Sequence, residues 1–212
     1  MLAKTALLAA LAIPLLASPI LAQPAITPPA VAPAAPLPRI RGTIEAVDGH
    51  TLTIKARAGE TMVVRLADDV KVVGVAAAKM SDIKPGLFIG TASIPGLGDT
   101  QQATEVTLFP ASMNGAGEGS YAWDLSPGST MTNGTIGDIT QANGRAMTVK
   151  YNGKERQIVV PDDVPVVLLN PAADMSLVKA GAAVVIAPVK AADGTLTASR
   201  INVGENGTVP PM

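Results

Sequence analysis

The sequence predicts an all-β protein made of two small OB-like barrels in tandem, each with five to six strands and one short helix. Apolar and polar residues alternate with a period of two over many short runs, and turn signals separate these runs. Six segments of the first half also recur in the second half, in the same order and 92 to 95 positions later. We therefore expect one barrel at 39–109, a connector at 110–132, a second barrel at 133–204 and a tail at 205–212.

The first 38 residues precede both copies. Lys4 comes before an apolar run, and Ala22 supplies the small residue that a signal peptidase requires. These features predict a signal peptide at 1–22, and the many prolines and alanines that follow predict a disordered tether at 23–38. The apolar run is too short for a good membrane span. We expect a periplasmic or secreted protein with no membrane span once the signal is removed.

The first copy contains the expected strand signals in order. Asp48-Gly49 is a hairpin turn signal, and Leu52 and Ile54 after it share an inward face. Two further strands are expected at 87–94 and 104–108, after the helix.

The helix of the first copy is predicted at 76–83, because Pro85-Gly86 would stop it there. A five-stranded barrel with a helix between its third and fourth strands is the preferred reading. A six-stranded barrel or sandwich stays an alternative, with 71–74 or 164–169 as a separate strand.

The matches between the halves are specific in sequence. They pair RGTI at 41–44 with NGTI at 133–136, LTIK at 52–55 with MTVK at 147–150, and MSDIKPG at 80–86 with MSLVKAG at 175–181. ATEV at 103–106 likewise matches ASRI at 198–201. Two copies indicate a duplicated domain and not a solenoid.

These motifs, together with the connector GAGEGSYAWDLSPGSTMTNG, resemble exported bacterial proteins that carry tandem DUF5666-type domains of unknown function, in a two-repeat alphaproteobacterial set. The resemblance covers about 40–204 and implies no catalytic residue. Relatives often have a histidine after GEG, where this chain has Ser120. Some relatives carry a permease label, which the lack of any spanning segment after the signal contradicts.

Composition excludes several functions. The formal net charge is −1 and only 2% of residues are aromatic, which disfavours nucleic-acid binding. The chain has no cysteine and a single histidine, His50, at a predicted hairpin tip. No nucleophile–histidine arrangement is recognisable, so we expect no enzyme and no cofactor.

The connector holds the strongest candidate binding residues, Tyr121 and Trp123. Two positions apart, they would lie on one face of an extended strand. Exposed, they would form a stacking platform for a sugar or a peptide, and buried, they would staple the barrels together. Glu118 and Asp124 lie beside them. The sequence therefore predicts a non-catalytic binding, interaction or structural module of the bacterial envelope, with an envelope protein or a glycan as partner.

The alternative function is a metal-associated periplasmic protein. Two carboxylate pairs occupy matched loop positions, Asp68-Asp69 and Asp162-Asp163, and could offer oxygen ligands to a hard cation. No complete calcium-loop motif surrounds either pair, so turn capping is the preferred interpretation. The methionines are interpreted as core residues.

Overall fold

The computed structural model describes residues 37–140 and 145–212, and it confirms an all-β protein. The predicted signal peptide and residues 23–36 of the predicted tether lie outside the described residues. So does Asn143-Gly144, which matches Asp48-Gly49 and is expected to form the equivalent turn. Within these described ranges, one mixed sheet contains thirteen strands. These are β1 Ile40–Asp48, β2 Thr51–Ala56, β3 Thr61–Ala77, β4 Phe88–Pro95, β5 Gln101–Leu108, β6 Gly119–Ala122, β7 Thr130–Thr140, β8 Ala146–Tyr151, β9 Lys154–Val159, β10 Val166–Pro171, β11 Ala183–Ile186, β12 Val189–Lys190 and β13 Leu196–Gly204.

The predicted alternation of faces is confirmed in the β2–β3 hairpin. Leu52 and Ile54 of β2 and Val64 and Leu66 of β3 are all fully buried, while the residues between them keep solvent contact. β-branched residues fit this pleated, half-buried surface. His50 lies in the β1–β2 turn, as the Asp48-Gly49 signal predicts.

The predicted helix at 76–83 is wrong. β3 continues to Ala77, and only Met80–Asp82 forms a single 3-10 turn, closed by the backbone N–H of Asp82 on the Lys79 carbonyl. The run from Val70 to Val75 is rich in valine, and residues 73–77 of β3 pair with β10. Strand pairing therefore extends into the segment, and what remains is too short to propagate a helix.

The strands close into two cycles of pairing, and neither cycle is built from one half of the chain. The first cycle runs β1–β2–β3–β13–β11 and back to β1. The second runs β7–β8–β9–β5–β4 and back to β7. Each cycle takes three strands from one half and two from the other. The expected division into one barrel per copy is therefore not followed, because the last two strands are exchanged.

The cores mix the two halves in the same way. One buried cluster joins Ile44 and Leu52 of the first half to Val184 and Ile201 of the second. The other joins Ile89 and Val106 of the first half to Met147 and Ile158 of the second. Apolar burial drives folding, so closing either core requires both halves.

A pair of central strands joins the two cycles. β3 and β10 are antiparallel, and Val75 pairs with Leu169 at the centre of their contact. β13 flanks β3 and β5 flanks β10, both in parallel. The central pair β3 and β10 carries a third apolar cluster, which includes Val73, Val75, Val167 and Leu169.

Two matched glycines mark the closest approach of neighbouring strands. A Cβ at Gly42 would clash with the Lys55 carbonyl oxygen, and one at Gly134 with the Lys150 carbonyl oxygen. The clashing atoms belong to backbone and cannot rotate away. The RGTI and NGTI motifs therefore require glycine on steric grounds.

In 37–140 and 145–212, no helix is long and apolar enough to span a bilayer.

Candidate functional site

A cavity of about 250 Å³ lies between the central strands and the connector. Leu169 of β10, Thr107 of β5 and Asn202 of β13 contribute its floor. Tyr121 and Trp123 of the connector contribute its roof. The remaining lining residues are Arg39, Gly90, Phe109, Ala116, Gly117, Met131, Asn133, Val185, Ala187, Arg200 and Met212.

Strand β6 carries the connector across this cavity. It pairs with the start of β7, which places Tyr121 opposite Met131. The ring centroids of Tyr121 and Trp123 lie 6.1 Å apart and their planes are tilted by 56°. Tyr121 is 42% exposed, whereas Trp123 also packs against the third apolar cluster. The Tyr121 ring is exposed, as the open platform predicts, and the Trp123 ring packs against a buried cluster, as the staple predicts. Both rings line the cavity.

Arg39 covers the indole ring of Trp123. Its guanidinium carbon lies 3.5 Å from the ring centroid, a cation–π contact. Asp124 holds Arg39 there, because one Asp124 oxygen accepts from Arg39 Nη1 at 3.0 Å and the other from the Arg39 backbone N–H at 2.7 Å. Arg41 Nη2 also donates to Asp124, at 2.8 Å. Asp124 thus positions the roof without lining the cavity.

The electrostatics of Asp124 follow from these contacts. Burial by itself would raise the pKa of its carboxyl group. The hydrogen bonds from Arg41 and from the Arg39 backbone, with the charges of both guanidinium groups, outweigh burial and lower the pKa to about 2. Asp124 is therefore ionised over the whole neutral range.

Asn133 presents a fixed polar atom inside the site. The residue is only 6% exposed. Its Nδ2 donates to the Gly117 carbonyl and to Tyr121 Oη, both at 3.1 Å. A carbonyl oxygen only accepts, so the Gly117 contact fixes the Asn133 NH₂ group on the connector side. The Asn133 Oδ1 therefore points away from Gly117 and Tyr121. A Cβ at Gly90 would lie 2.6 Å from Oδ1, so glycine there leaves the room that Oδ1 occupies.

Three lining residues carry buried polar atoms without a hydrogen-bond partner in the described structure. They are Asn133 Oδ1, Asn202 Oδ1 and Trp123 Nε1. Asn202 Nδ2 contacts only the sulfur of Met212, at 3.4 Å, which is a weak acceptor. Unpaired buried polar atoms are costly and rare. Their concentration around one cavity marks it as the candidate functional site.

Two matched strand positions next to the site carry opposite charges. Arg200 on β13 lines the cavity, and Glu105 on β5 is the matched residue of the first half. Glu105 is fully buried, accepts a 2.6 Å hydrogen bond from Thr107 Oγ1, and has no partner for Oε2. Burial raises the pKa of Glu105 to about 7, although the Thr107 hydroxyl and the Arg41 charge partly oppose this.

Glu118, the fourth residue predicted for binding, lies elsewhere. Its Oε1 accepts from the backbone N–H of Asn152 at 2.8 Å, in the turn between β8 and β9. It therefore caps a hairpin and is not among the lining residues of the cavity.

The carboxylate pairs named for metal binding lie at separate places. Asp162 forms an ion pair with Arg145, at 2.7 Å. Asp68 lies 3.6 Å from His50 Nδ1, which is too long for a hydrogen bond, and both border an open groove with Asp69. Asp163 is an exposed turn residue. Within 37–140 and 145–212, no three histidine or carboxylate side chains are grouped so that they could hold a metal ion.

Comparison with protein-family models, with curated proteins and with solved structures finds no match to this chain. The resemblance to DUF5666-type proteins thus stays a prediction from the sequence motifs.

Sequence reasoning missed the residues that complete the site, namely Arg39, Asn133, Arg200 and Asn202. One signal was available: Glu105 and Arg200 interrupt matched apolar strands with charged residues. A charge in mid-strand needs a partner or a function. The connector signal at Tyr121 and Trp123 did identify two of the lining residues.

Proposed function

We propose that this chain is an exported, non-catalytic binding module of the bacterial envelope, and that the cavity under the connector is its binding site. The module is two OB-like barrels that exchange their last two strands. The proposal rests on one observation: three residues that line a single cavity, Trp123, Asn133 and Asn202, each carry a buried polar atom without a hydrogen-bond partner among the described residues. Such atoms are satisfied when a ligand brings the matching donors and acceptors.

The barrel interpretation is supported by the closed five-stranded cycles, because an OB fold is a five-stranded barrel. Export is supported by the signal-like pattern at 1–22. The non-catalytic reading is supported by the position of His50, which lies in the β1–β2 turn and not among the cavity residues.

The size of the cavity favours a small molecule over a protein surface. Its volume of about 250 Å³ corresponds to roughly eight water volumes at about 30 Å³ each. A protein partner or a long glycan would need a more open face. The site therefore takes a compact ligand, or one small group of a larger glycan.

Blocking the cavity entrance tests this proposal. Ala187 lines the cavity and is exposed, so Ala187→Phe should fill the entrance without disturbing a core. Ala192→Phe is the matched control, because Ala192 is exposed and does not line the cavity. Both variants and the parent chain would be screened by ligand-observed NMR against neutral, anionic and cationic compounds of small-molecule size.

We expect at least one compound that binds the parent chain and the Ala192→Phe variant but loses binding in Ala187→Phe. Retained binding in Ala187→Phe, or no binding by any compound to the parent chain, would contradict the proposal.

A further inference from the structure

The cavity carries an uncompensated positive charge. Arg39 is neutralised by Asp124. Arg200 also borders the open groove with Asp68 and Asp69, but among the described residues its guanidinium has no ion-pair or hydrogen-bond partner. No aspartate or glutamate occurs among the lining residues that the structure describes. Desolvation lowers the pKa of Arg200 with no opposing contact, although the residue keeps solvent access. The cavity therefore favours an anion over a cation.

Arg200 and Asn202 act on the same part of the ligand. They are two positions apart on β13, so their side chains leave the strand on one face. The guanidinium is a planar fork of donors that matches a carboxylate in a bidentate contact. The Nδ2 of Asn202 has only the weak acceptor sulfur of Met212, at 3.4 Å, so it can donate to the same carboxylate.

The rest of the cavity is suited to an apolar body with one hydroxyl group. Phe109, Met131, Leu169 and Val185 give it an apolar wall. Among the lining residues, the indole N–H of Trp123 requires an acceptor and Asn133 Oδ1 requires a donor. A hydroxyl group supplies both functions.

We propose that the cavity binds a small carboxylic acid with an apolar, hydroxylated body, and that Arg200 receives the carboxylate. This assignment rests on the proposed function, since it names the ligand class of the same cavity. A cation, or a neutral ligand without an acidic group, would leave Arg200 unpaired.

A pair of matched compounds tests the assignment. The probes are 4-hydroxyphenylacetate and its neutral alcohol counterpart, 2-(4-hydroxyphenyl)ethanol, which share the ring and the hydroxyl group. Each would be titrated into the full chain by calorimetry. The quenching of Trp123, the single tryptophan, gives a second readout.

Arg200→Gln removes the charge and keeps much of the side-chain size. Arg65→Gln is the matched control, because Arg65 is exposed on β3 and does not line the cavity. Asn202→Asp is a second test, since it places a carboxylate beside Arg200 that competes with the ligand. Thermal unfolding would confirm that each variant is folded.

We expect the acid to bind at least tenfold more tightly than the alcohol. Arg200→Gln and Asn202→Asp should each remove that preference, and Arg65→Gln should keep it. Equal binding of both compounds, or a preference that survives Arg200→Gln, would overturn the assignment and leave the proposed binding function standing. If neither probe binds the parent chain, and no other anionic compound of the NMR screen binds it, the assignment of a carboxylic acid fails. The proposed binding function fails as well only if no neutral or cationic compound of that screen binds the parent chain.

Discussion

Val75 pairs directly with Leu169, which is its matched position in the other half of the chain. A position that pairs with its own counterpart lies on a local twofold axis, as in the isologous interface of a dimer. The neighbouring pairs Ala77–Val167 and Val73–Pro171 are related by the same axis. The exchange of strands on either side of this pair is the main feature of the fold.

Strand exchange predicts which engineered disulfide can form. Thr43 pairs with Ala183 across β1 and β11, so Thr43→Cys with Ala183→Cys should oxidise readily, in a chain that has no other cysteine. Thr135 is the matched residue of β7 and would face Ala183 only if each half closed on itself. Thr135→Cys with Ala183→Cys should therefore stay reduced. Thiol titration after mild oxidation measures both, and the reverse pattern would disprove the exchange.

The matched glycines predict a steric effect on stability. Gly42→Ala and Gly134→Ala would each push a Cβ into a backbone carbonyl of the neighbouring strand. We expect each to lower the free energy of unfolding by about 2 kcal/mol or more. Thr43→Ala, at an exposed neighbour, should stay within about 0.5 kcal/mol. Urea unfolding measures these changes. If Gly42→Ala leaves the free energy of unfolding unchanged, the two strands can move apart at that position.

Glu105 predicts an unusual dependence of stability on pH. Its pKa is about 7 in the folded protein, against an ordinary value of 4.5. Between these values the folded chain keeps a proton that the unfolded chain has lost. The contribution of Glu105 to stability is therefore fully present below about pH 4.5 and falls as the pH rises to 7, by about 3 kcal/mol.

Glu105→Gln should flatten this slope, because the amide is neutral at every pH. Glu45→Gln, on an exposed residue of β1, should leave it unchanged. Thermal unfolding between pH 4 and 8 gives the comparison. A slope that is the same with and without Glu105 would show that this carboxyl group is not protonated in the folded protein.

Asp124 predicts the opposite behaviour in acid. Its pKa is lowered to about 2, so its stabilising contacts are intact above about pH 4 and are lost as the pH falls toward 2. Asp124→Asn should lower stability at neutral pH by about 1 kcal/mol or more and release Arg39 from the indole. The tryptophan emission should then shift to longer wavelength, whereas Asp99→Asn, in an exposed loop, should not change it. An unshifted spectrum in Asp124→Asn would show that Arg39 stays on the ring without Asp124.

The sequence predicts where most of the strands lie, but it does not predict which strands pair with each other. Alternation predicted the buried faces of β2 and β3, because burial of one sheet face is a local property of the pattern. It could not predict that β11 would pair with β1, since the matched strand β4 offers almost the same pattern. The prediction of a helix at 76–83 is wrong for a related reason. The start of that segment pairs with β10, which lies about 90 positions later in the chain. Arg200 and Asn202 were missed because the residues that form the cavity with them come from other elements.

The exchange separates the order of synthesis from the order of folding. The second cycle has all its strands once β9 is made, whereas the first must wait for β13 at 196–204. β1 to β3, the first strands of the described chain to be translated, therefore remain without a closed core until almost the last residues appear. During translation or translocation, the core of the second cycle would therefore close before the core of the first. The β1–β2 hairpin, although made first, would be the last to have its apolar face buried.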